Sequence, residues 1–420
     1  MENKNIFNKI MTILFCSVMV VGFVLGLAFF LRPERSESEK RELTRFPTFT
    51  VNSFLSGEYT EQVSTWFSDT FPFREGLITA NGFIMSLKGF GDEQFQLDAP
   101  PAQAPGSSQE NDKIESIGGF YVTGDTAYEI FTQNVPVSKR YADVINQAAS
   151  RLDGKAKVYT IVVPLAYAYN DRVLQITGAT DPKDAIDSIY ASVTHPNAVE
   201  VDAYSALDAH KDEYLYFRTD HHWTALGAYY AYTAYCKDAG LSAHPLSYFE
   251  ECKFEGFLGT MYSKTQAPKL QKNPDTVYAY VPRGTNSLRV HLEDGTSQKF
   301  TGGVVRKDTD TFYPAAGSKY NCFLTSDNPT ETKQSYYVSI QNPEITNGSA
   351  VVLVKESFGN CFAPFLVDHY EYVYVIDYRY FTGDIAEFVD MTGAEQVIFL
   401  NNVIATSAEP RVNEMERFVN

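Results

Sequence analysis

The sequence predicts an α/β protein built on a doubly wound parallel sheet, with a β-rich insertion and an N-terminal transmembrane helix. Nearly continuous apolar segments, such as KVYTIVVP at 157–164, are typical of strands buried on both faces of a sheet. Towards the C-terminus such segments alternate with short helical ones, which indicates parallel strands joined by helical crossovers. The third observation is the uncharged apolar segment at 11–31, which is long enough to cross a bilayer.

This N-terminal segment predicts where the chain is located. Lys4 and Lys9 precede the apolar segment, which favours a cytoplasmic tail over 1–10, although two arginines follow the segment closely. A cleavable signal peptide is the alternative, but the segment ends in AFFLRPER, which lacks a small-residue cleavage site. We therefore expect a single-pass anchor at 11–31 in the cell membrane, with the main domain outside the cytoplasm.

Changes in composition divide the rest of the chain. Residues 32–95 contain charged, helix-prone and apolar segments, which predict a membrane-proximal helical region. Residues 96–113 are rich in Pro, Ala, Ser and Gln, which predicts a linker. The main domain then occupies 114–420. Within it, 270–345 shows strand-like alternation and an Asp294-Gly295 turn, so we expect a β-rich insertion made of hairpins.

The main domain is predicted to alternate strands and helices on both sides of this insertion. Apolar or alternating segments favour strands, and amphipathic segments favour helices. The predicted strands are 118–125, 157–164, 198–204, 350–356, 371–377 and 396–402, and the predicted helices are 137–152, 184–192, 224–240, 360–370 and 383–391. Catalytic side chains on sheets of this kind lie beyond the carboxyl ends of the strands.

The bulk composition excludes some classes of function. A net charge of −17 opposes binding to the phosphates of nucleic acids. No two of the five cysteines have the CxxC spacing of zinc or thioredoxin-like sites. Four of them, Cys236, Cys252, Cys322 and Cys361, lie in the predicted extracytoplasmic part. They are compatible either with disulfides or with buried free thiols.

The first candidate site is the sequence Asp220-His221-His222-Trp223 at the start of a predicted helix. A carboxylate close to a histidine can fix the imidazole tautomer and support its positive charge, which makes the imidazole a general base. One alternative is that Asp220 caps the helix and the two histidines are interfacial. Another is a metal site, although no HExxH motif or second histidine cluster accompanies these residues. We predict no metal and no cofactor.

The second candidate site is Ser357, between the predicted strand 350–356 and the predicted helix 360–370. Nucleophiles of α/β hydrolytic enzymes lie at such strand-to-helix turns, where helix N-terminal amides can stabilise an oxyanion. The alternative is that Ser357 only caps the helix. Because a nucleophilic serine needs a base, the two sites together predict a triad of Ser357, His222 and Asp220.

The segment FRTDHHWTALGAYYAY resembles the signature of the DHHW protein family. The resemblance continues, in the same order, through SEKRELTRFP, FSDTFPFREGL, FLGTMYSK and KESFGNCFAPFLVDHY. The family looks related to alginate O-acetyltransferase-like proteins, which have an SGNH-hydrolase-like fold, an Asp-x-His-Trp motif and a later serine. The resemblance implies Asp220, His222 and Ser357 as the catalytic residues, with His221 in the variable position. The serine follows the Asp/His pair, as a circular permutation of ordinary SGNH hydrolases would give, and the Asp is two residues before the His rather than three.

Further residues are predicted to bind the oxyanion or the substrate. The Ser357 amide is one expected oxyanion donor, and Gly259 or Asn170 is expected to supply another; the alternative for both is an ordinary turn residue. Arg379 follows a strand end and either binds an anionic substrate or forms a structural ion pair. His221 and Trp223 complete this group as neighbours of the predicted base.

These residues predict acyl transfer at the cell surface. We expect an O-acetyltransferase that acts on a cell-surface or exported polysaccharide, and the resemblance implies a membrane-bound O-acyltransferase as the partner that supplies the acyl group. The alternatives are a carbohydrate O-acetyl esterase on the same triad, a non-catalytic glycan-binding or assembly protein, and a metal-dependent hydrolase centred on Asp220 and the two histidines.

Overall fold

The computed structural model divides the chain into two compact units, Met1–Gly91 and Asp92–Asn420. The residues that the structure describes are 32–33, 35–36, 41–42, 45–50, 54, 58–72, 114–176, 178–300, 303–308, 316–324 and 336–419. The predicted tail at 1–10, anchor at 11–31 and linker at 96–113 lie outside them. Within the described ranges, no helix has the length and apolar character needed to span a membrane.

The N-terminal unit contains a short strand pair and a helix in its described part. β1 (Arg35–Ser36) pairs antiparallel with β2 (Arg41–Glu42), and α1 spans Glu58–Asp69. Helix α1 lies in the predicted helical region, whereas the two short strands were not expected there. Arg32 is held near the end of this helix, since its Nη1 donates to Thr70 Oγ1 at 2.8 Å and its guanidinium lies 4.1 Å from the centroid of the Trp66 ring.

The described part of the C-terminal unit contains both strands and α-helices. Its strands are β3 (Glu115–Ile117), β4 (Phe120–Thr123), β5 (Thr126–Tyr128), β6 (Lys157–Val163), β7 (Ala198–Val201), β8 (Glu250–Phe257), β9 (Asp275–Val281), β10 (Ser287–His291), β11 (Ser297–Phe300), β12 (Tyr337–Gln341), β13 (Ala350–Lys355), β14 (Tyr372–Asp377) and β15 (Gln396–Asn402). Its helices are α2 (Val135–Arg151), α3 (Asp171–Leu174), α4 (Pro182–Tyr190), α5 (Ala203–Asp208), α6 (Ala225–Asp238), α7 (Thr260–Thr265), α8 (Pro268–Lys272), α9 (Ile385–Thr392) and α10 (Glu409–Val419).

The central sheet of this unit is mixed and not wholly parallel. In the described part of the chain it has eight strands in the order β11-β10-β12-β14-β13-β15-β6-β7. The strands from β14 to β7 are parallel, as predicted. At the other end, β12, β10 and β11 pair antiparallel, so the prediction of a wholly parallel sheet was wrong there. These three strands come from the predicted insertion, and they extend the sheet because β12 pairs with β14. Outside this sheet, β8 and β9 form an antiparallel ribbon, and β3, β4 and β5 form a small sheet.

Both faces of β6, β13 and β15 are buried, which explains their continuous apolar sequences. Every residue of β13 is buried. Val351 and Leu353 pack into the cluster that contains the apolar side chains of α6, whereas Val352 and Val354 pack into the cluster that contains those of α2, α9 and α10. Helices therefore cover both faces of the sheet, as a doubly wound architecture requires.

Of the two helices predicted next to the candidate site, 224–240 is confirmed as α6 and 360–370 is not found. Helix α6 begins at Ala225, because the Thr224 side chain caps it by accepting from the Gly227 N–H, so Asp220 to Trp223 precede the helix instead of starting it. The predicted helix 360–370 is replaced by two 3₁₀ segments, Ser357–Asn360 and Ala363–Leu366. Pro364 provides a physical reason, since it has no N–H to continue an α-helical ladder.

Candidate active site

The structure brings the three predicted catalytic side chains into hydrogen-bond contact. His222 Nε2 lies 2.7 Å from Ser357 Oγ, and His222 Nδ1 lies 2.5 Å from Asp220 Oδ1. The side chains of Asp220 and His222 are only 3% and 8% exposed, so little water competes for these contacts. The Ser357 hydroxyl can donate to Nε2 while the Nδ1–H donates to Asp220, which is the arrangement of a nucleophile, a base and an orienting carboxylate.

The two-residue spacing between Asp220 and His222 has a local structural cause. A short bridge between Tyr216 and Trp223 closes the turn that carries them. Within this turn Asp220 Oδ1 accepts from the backbone N–H of His222 at 3.0 Å and also contacts the imidazole of the same residue. An Asp side chain that bonds the backbone two residues later is a common turn device. One carboxylate oxygen therefore fixes both the turn and the ring.

The second oxygen of Asp220 is held by Thr260, at the start of α7. Asp220 Oδ2 accepts from the Thr260 N–H at 2.7 Å and from its hydroxyl at 3.0 Å. Burial alone would raise the pKa of Asp220, but the charges of His222 and His221 and the hydrogen bonds overcome it and hold that pKa below its usual value. Asp220 is therefore a carboxylate at neutral pH, as the orienting acid of a triad must be.

Gly259 permits this close approach of α7 to Asp220. A Cβ at position 259 would lie 2.2 Å from Asp220 Cβ and 2.3 Å from Asp220 Oδ2, so a side chain here would displace the carboxylate. The Gly259 N–H donates to Thr219 Oγ1 at 3.1 Å. This N–H is therefore occupied and offers no free donor for the oxyanion that we expected it to bind.

The buried carboxylate of Asp275, which we did not identify from the sequence, also holds the turn that carries Asp220 and His222. Asp275 begins β9 and is completely buried. Its Oδ2 accepts from the backbone N–H and the hydroxyl of Thr219 at 2.8 and 2.6 Å. Its Oδ1 accepts from the Arg218 N–H at 3.1 Å and from the Tyr214 hydroxyl. In the sequence Asp275 is an acid in an Asn-Pro-Asp turn, and nothing there distinguishes it from a solvent-exposed residue.

Two aromatic residues join the histidine turn to the serine turn. Trp223 Nε1 donates to the Phe358 carbonyl at 2.9 Å, so the tryptophan of the Asp-His-His-Trp sequence links the histidine turn to the serine turn. Tyr320, which the sequence did not single out, donates to the Ser357 carbonyl at 3.0 Å. Its ring stacks on His222 with centroids 4.3 Å apart and an interplanar angle of 12°. Burial raises the pKa of Tyr320, which keeps its hydroxyl protonated as a donor.

A third residue that we did not identify from the sequence, Glu356, contacts Ser357 itself. Its side chain is buried, and Oε2 accepts from the Ser357 hydroxyl and from the Phe358 N–H, each at 3.1 Å. Oε1 accepts from the backbone N–H of Asn402 at 3.1 Å, which ties the serine turn to the end of β15. Burial raises the pKa of Glu356. The Ser357 hydroxyl thus has two possible acceptors, His222 Nε2 and Glu356 Oε2, and its single proton serves one at a time.

His221 packs on the rim of the triad. Its Nδ1 lies 2.6 Å from Thr260 Oγ1, and its ring centroid lies 3.9 Å from that of His222. Burial and the neighbouring His222 lower the pKa of His221. Ligand atoms of Asp220, His221 and His222 lie within 4.8 Å of one another, which is the spacing that a metal ion needs. However, an ion bound there through His222 Nδ1 would take the position that the triad uses for the contact with Asp220.

The remaining two predicted residues have structural partners. Asn170 Oδ1 caps α3 by accepting from the N–H groups of Arg172 and Val173, and its Nδ2 donates to the Tyr128 hydroxyl at 3.0 Å. These contacts do not bring Asn170 to the triad. Arg379 forms a two-pronged ion pair with Asp377, with Nε–Oδ1 at 2.7 Å and Nη2–Oδ2 at 2.5 Å. This is the structural ion pair that we considered as the alternative to substrate binding.

Comparisons with known proteins place this chain in a family. The profile of the family described as DHHW protein matches residues 39–98 and 91–376. The chain is similar to the crystal structure of a DHHW family protein from Eubacterium siraeum, with 27% identity, a TM-score of 0.61, and 72% of this chain and 96% of that one covered. It is also similar to Bacillus cereus PatB1, solved with a sulfonyl adduct, with 15% identity, a TM-score of 0.56, and coverage of 72% and 98%.

A weaker similarity is to the O-acetyltransferase domain of Pseudomonas putida AlgJ, with 12% identity, a TM-score of 0.38, and coverage of 67% and 90%. No curated protein matches the chain. The family profile covers most of the chain and includes both the histidine turn and Ser357. The chain therefore belongs to the DHHW protein family.

Proposed function

We propose that this protein is a membrane-anchored, extracytoplasmic O-acetyltransferase that transfers acetyl groups to hydroxyls of a cell-surface or exported polysaccharide. The observation that carries the proposal is the 2.7 Å contact between Ser357 Oγ and His222 Nε2, with the carboxylate of Asp220 on the other ring nitrogen. Membership of the DHHW family supports it through the resemblance to O-acetyltransferase-like proteins. The anchor at 11–31 and a membrane-bound O-acyltransferase as donor partner are parts of the same proposal.

In the first half-reaction, Ser357 Oγ attacks the carbonyl carbon of the donor ester while its proton passes to His222 Nε2. Asp220 accepts from Nδ1–H and stabilises the imidazolium that forms. The tetrahedral intermediate then collapses, the donor oxygen leaves with the proton from Nε2, and an acetyl ester remains on Ser357. In the second half-reaction a sugar hydroxyl gives its proton to Nε2 and attacks this ester. The proton then returns to Ser357 Oγ as the acetylated sugar leaves.

The oxyanion of each tetrahedral intermediate needs a donor near Ser357. The first amides of the 3₁₀ segment are partly occupied, because the Phe358 N–H donates to Glu356 Oε2 and the Gly359 N–H donates to the Glu356 carbonyl. The Ser357 N–H is therefore the donor that we assign from this turn. A donor from the nucleophile's own amide is a common component of oxyanion holes.

The test uses the full-length chain in detergent and p-nitrophenyl acetate as acetyl donor. We expect wild type to release nitrophenol and to gain the mass of one acetyl group, and we expect Ser357→Ala to do neither. A sulfonyl fluoride should modify wild type at Ser357 and leave the variant unmodified. Ser188→Ala, in the exposed part of α4, is the matched control and should behave as wild type. If wild type and Ser357→Ala both lack an adduct and react alike, the protein is a non-catalytic binding or assembly protein.

The acceptor separates a transferase from an esterase. The acetyl-enzyme is the same in both, and water is the acceptor in an esterase. With oligosaccharides added after acetylation, we expect acetyl groups to appear on sugar hydroxyls faster than free acetate is released. Release of acetate alone, at a rate that oligosaccharides do not change, would assign the esterase activity instead.

A further inference from the structure

A groove of about 360 Å³ lies on one face of the antiparallel end of the central sheet. The opposite face of these strands is buried, since Leu288, Val290, Val338 and Ile340 pack into the core. Antiparallel sheets often have one face in solvent, and solvent-facing positions are mostly polar. Here that face carries three tyrosines, Tyr337, Tyr372 and Tyr374, all partly exposed in the groove.

Side chains of four strands form a row across this groove. Lys299 in β11 is opposite Arg289 in β10, Arg289 is opposite Ser339 in β12, and Ser339 is opposite Tyr374 in β14. Because neighbouring strands are about 4.8 Å apart, the row is about 14 Å long. It has an aromatic ring at one end and two cations at the other. Beside it, the Tyr372 ring lies nearly parallel to that of Tyr374, at an angle of 13°, with the centroids 5.9 Å apart.

The charge of this groove differs from that of the chain as a whole. The chain carries a net charge of −17. Yet the residues lining the groove, all in the described part of the chain, include Arg289 and Lys299 and no carboxylate. Both cations are exposed, whereas burial and Arg289 lower the pKa of His291 at the groove edge, so that His291 is neutral at neutral pH. A polyanion that the rest of the surface repels is therefore attracted at this position.

We propose that this groove binds a segment of an acidic polysaccharide. A sugar ring stacks on Tyr374, and a carboxylate or phosphate group of a neighbouring unit pairs with Arg289 and Lys299. Tyrosine suits the first contact because it combines an apolar face with a polar edge, and the arginine fork suits an oxyanion. A neutral glycan would use only the aromatic end of the row, and a peptide polyanion would use only its cationic end.

The groove lies on the face of the sheet that packs against α9, whereas Trp223 and Phe358, beside the triad, pack on the opposite face. Tyr374 is three residues before Asp377, the last residue of β14, so about 10 Å of strand separates it from that end of the sheet. Ser357 follows the same end of the adjacent parallel strand β13. A polymer long enough to pass from the groove to this end of the sheet would raise the local concentration of acceptor hydroxyls at Ser357. The inference rests on the proposed function for its substrate class, and it narrows that class to acidic glycans.

The test measures binding to the full-length Ser357→Ala protein in detergent by calorimetry, so that it does not depend on catalysis. The probes are a galacturonic acid oligomer, its neutral methyl ester, a glycerol phosphate oligomer and a polyglutamate of similar charge. We expect an acidic glycan to bind at least about ten-fold more tightly than the methyl ester, because two cations contribute. Tight binding of the uronate identifies a carboxylate polymer, and tight binding of the glycerol phosphate oligomer identifies a phosphate polymer.

Arg289→Gln/Lys299→Gln should lower the affinity for the acidic glycan about ten-fold and leave the affinity for the methyl ester unchanged. Tyr374→Ala should lower the affinity for both probes. Lys155→Gln/Lys253→Gln removes the same charge from exposed sites outside the groove and should change the affinity by less than about two-fold. In proteins that retain Ser357, the groove variants should keep the wild-type rate with p-nitrophenyl acetate. The proposal is overturned if the methyl ester or polyglutamate binds as tightly as the acidic glycans, if neither glycan binds, or if both double variants lose equal affinity.

Discussion

The buried carboxyl of Glu356 gives the nucleophile an alternative hydrogen-bond partner. Ser357 Oγ lies 2.7 Å from His222 Nε2 and 3.1 Å from Glu356 Oε2. When His222 is neutral, the hydroxyl donates to the imidazole. When His222 is an imidazolium, Nε2 becomes a donor, and the hydroxyl can donate to Glu356 instead. The side chain of Ser357 is thus held in place in both protonation states of its base.

The raised pKa of Glu356 makes a prediction about stability. The carboxyl of Glu356 binds its proton more tightly in the folded state than in the unfolded chain, where its pKa is close to 4.5. Ionisation of this buried carboxyl, as the pH rises above that value, therefore lowers the free energy of unfolding. Glu356→Gln does not titrate. We therefore expect the free energy of unfolding of wild type, minus that of Glu356→Gln, to decrease as the pH rises above about 4.5, as measured by urea denaturation.

Glu344 provides a control of opposite sign. The Thr285 N–H lowers the pKa of Glu344, so the same difference for Glu344→Gln should increase with pH over the window below the unfolded value. A difference for Glu356→Gln that stays constant, or that rises with pH, would show that this carboxyl is not buried as the structure has it.

At the residue scale, the sequence could identify the three side chains that meet in the candidate site but not the residues that support them. Asp220, His222 and Ser357 combine residue types whose joint chemistry is informative wherever they lie. Glu356, Tyr320 and Asp275 act through contacts that the tertiary structure makes, such as the stacking of Tyr320 on His222. Gly259 was identified, but for the wrong reason: its missing side chain matters, while its N–H is occupied.

At the element scale, three segments distant in sequence assemble around the histidine turn. The start of β9 holds Thr219 through Asp275, the start of α7 holds Asp220 through Thr260, and the serine turn accepts from Trp223. A turn held on three sides loses little conformational entropy when substrate binds, because that entropy was already lost on folding. Preorganisation of this kind is what a base within hydrogen-bond reach of its nucleophile requires.

Asp275→Asn tests this support. The amide keeps the shape of the side chain, but its Nδ2 cannot accept, so at least one donor from Thr219, Arg218 or Tyr214 is left unpaired. We expect a loss of about 1–3 kcal/mol in the free energy of unfolding. We also expect acetylation by p-nitrophenyl acetate to slow by about ten-fold or more, because the base moves relative to Ser357.

Asp384→Asn is the matched control, because Asp384 caps α9 by accepting from the Ala386 and Glu387 N–H groups and pairs with Arg151, none of which belongs to the triad or to its turns. It should lower stability and leave the acetylation rate of the folded protein unchanged. If Asp275→Asn behaves in the same way, Asp275 supports the fold alone and does not position the base.

The strands and helices were largely predictable from the sequence, whereas the pairing of the strands was not. The strand 396–402 was predicted with the bounds that β15 has, and α2 lies close to its predicted limits. The alternation in 270–345 correctly indicated strands. Alternation does not specify which strands pair, however, and the pairing of β12 with β14 turned the expected separate insertion into part of the central sheet. The start of α6, by contrast, agrees with the predicted helix 224–240.

At the scale of the whole molecule, the mixed sheet separates two kinds of surface. Ser357 follows β13, whose two faces are both buried. The groove with Tyr374 and Arg289 lies on a face of β10, β12 and β14 that α9 covers only in part. The sequence indicated the buried strands through their continuous apolar segments. It could not indicate the groove, because tyrosine is common in strands whether or not it binds a ligand.

The cysteines of the main domain provide a prediction about the whole molecule, since the structure has Cys236, Cys252, Cys322 and Cys361 as free thiols. Burial raises the pKa of Cys236 and Cys361 to about 12, which leaves little reactive thiolate at neutral pH.

In a Cys16→Ser background, iodoacetamide should label only the partly exposed Cys252 in the native protein and all the remaining cysteines after denaturation, as counted by mass spectrometry. Cys252→Ser should abolish the native labelling, and a reductant should leave the unfolding midpoint unchanged. Cysteines that remain unlabelled after denaturation without reductant, together with a lower midpoint in its presence, would show instead that a disulfide stabilises the domain outside the cytoplasm.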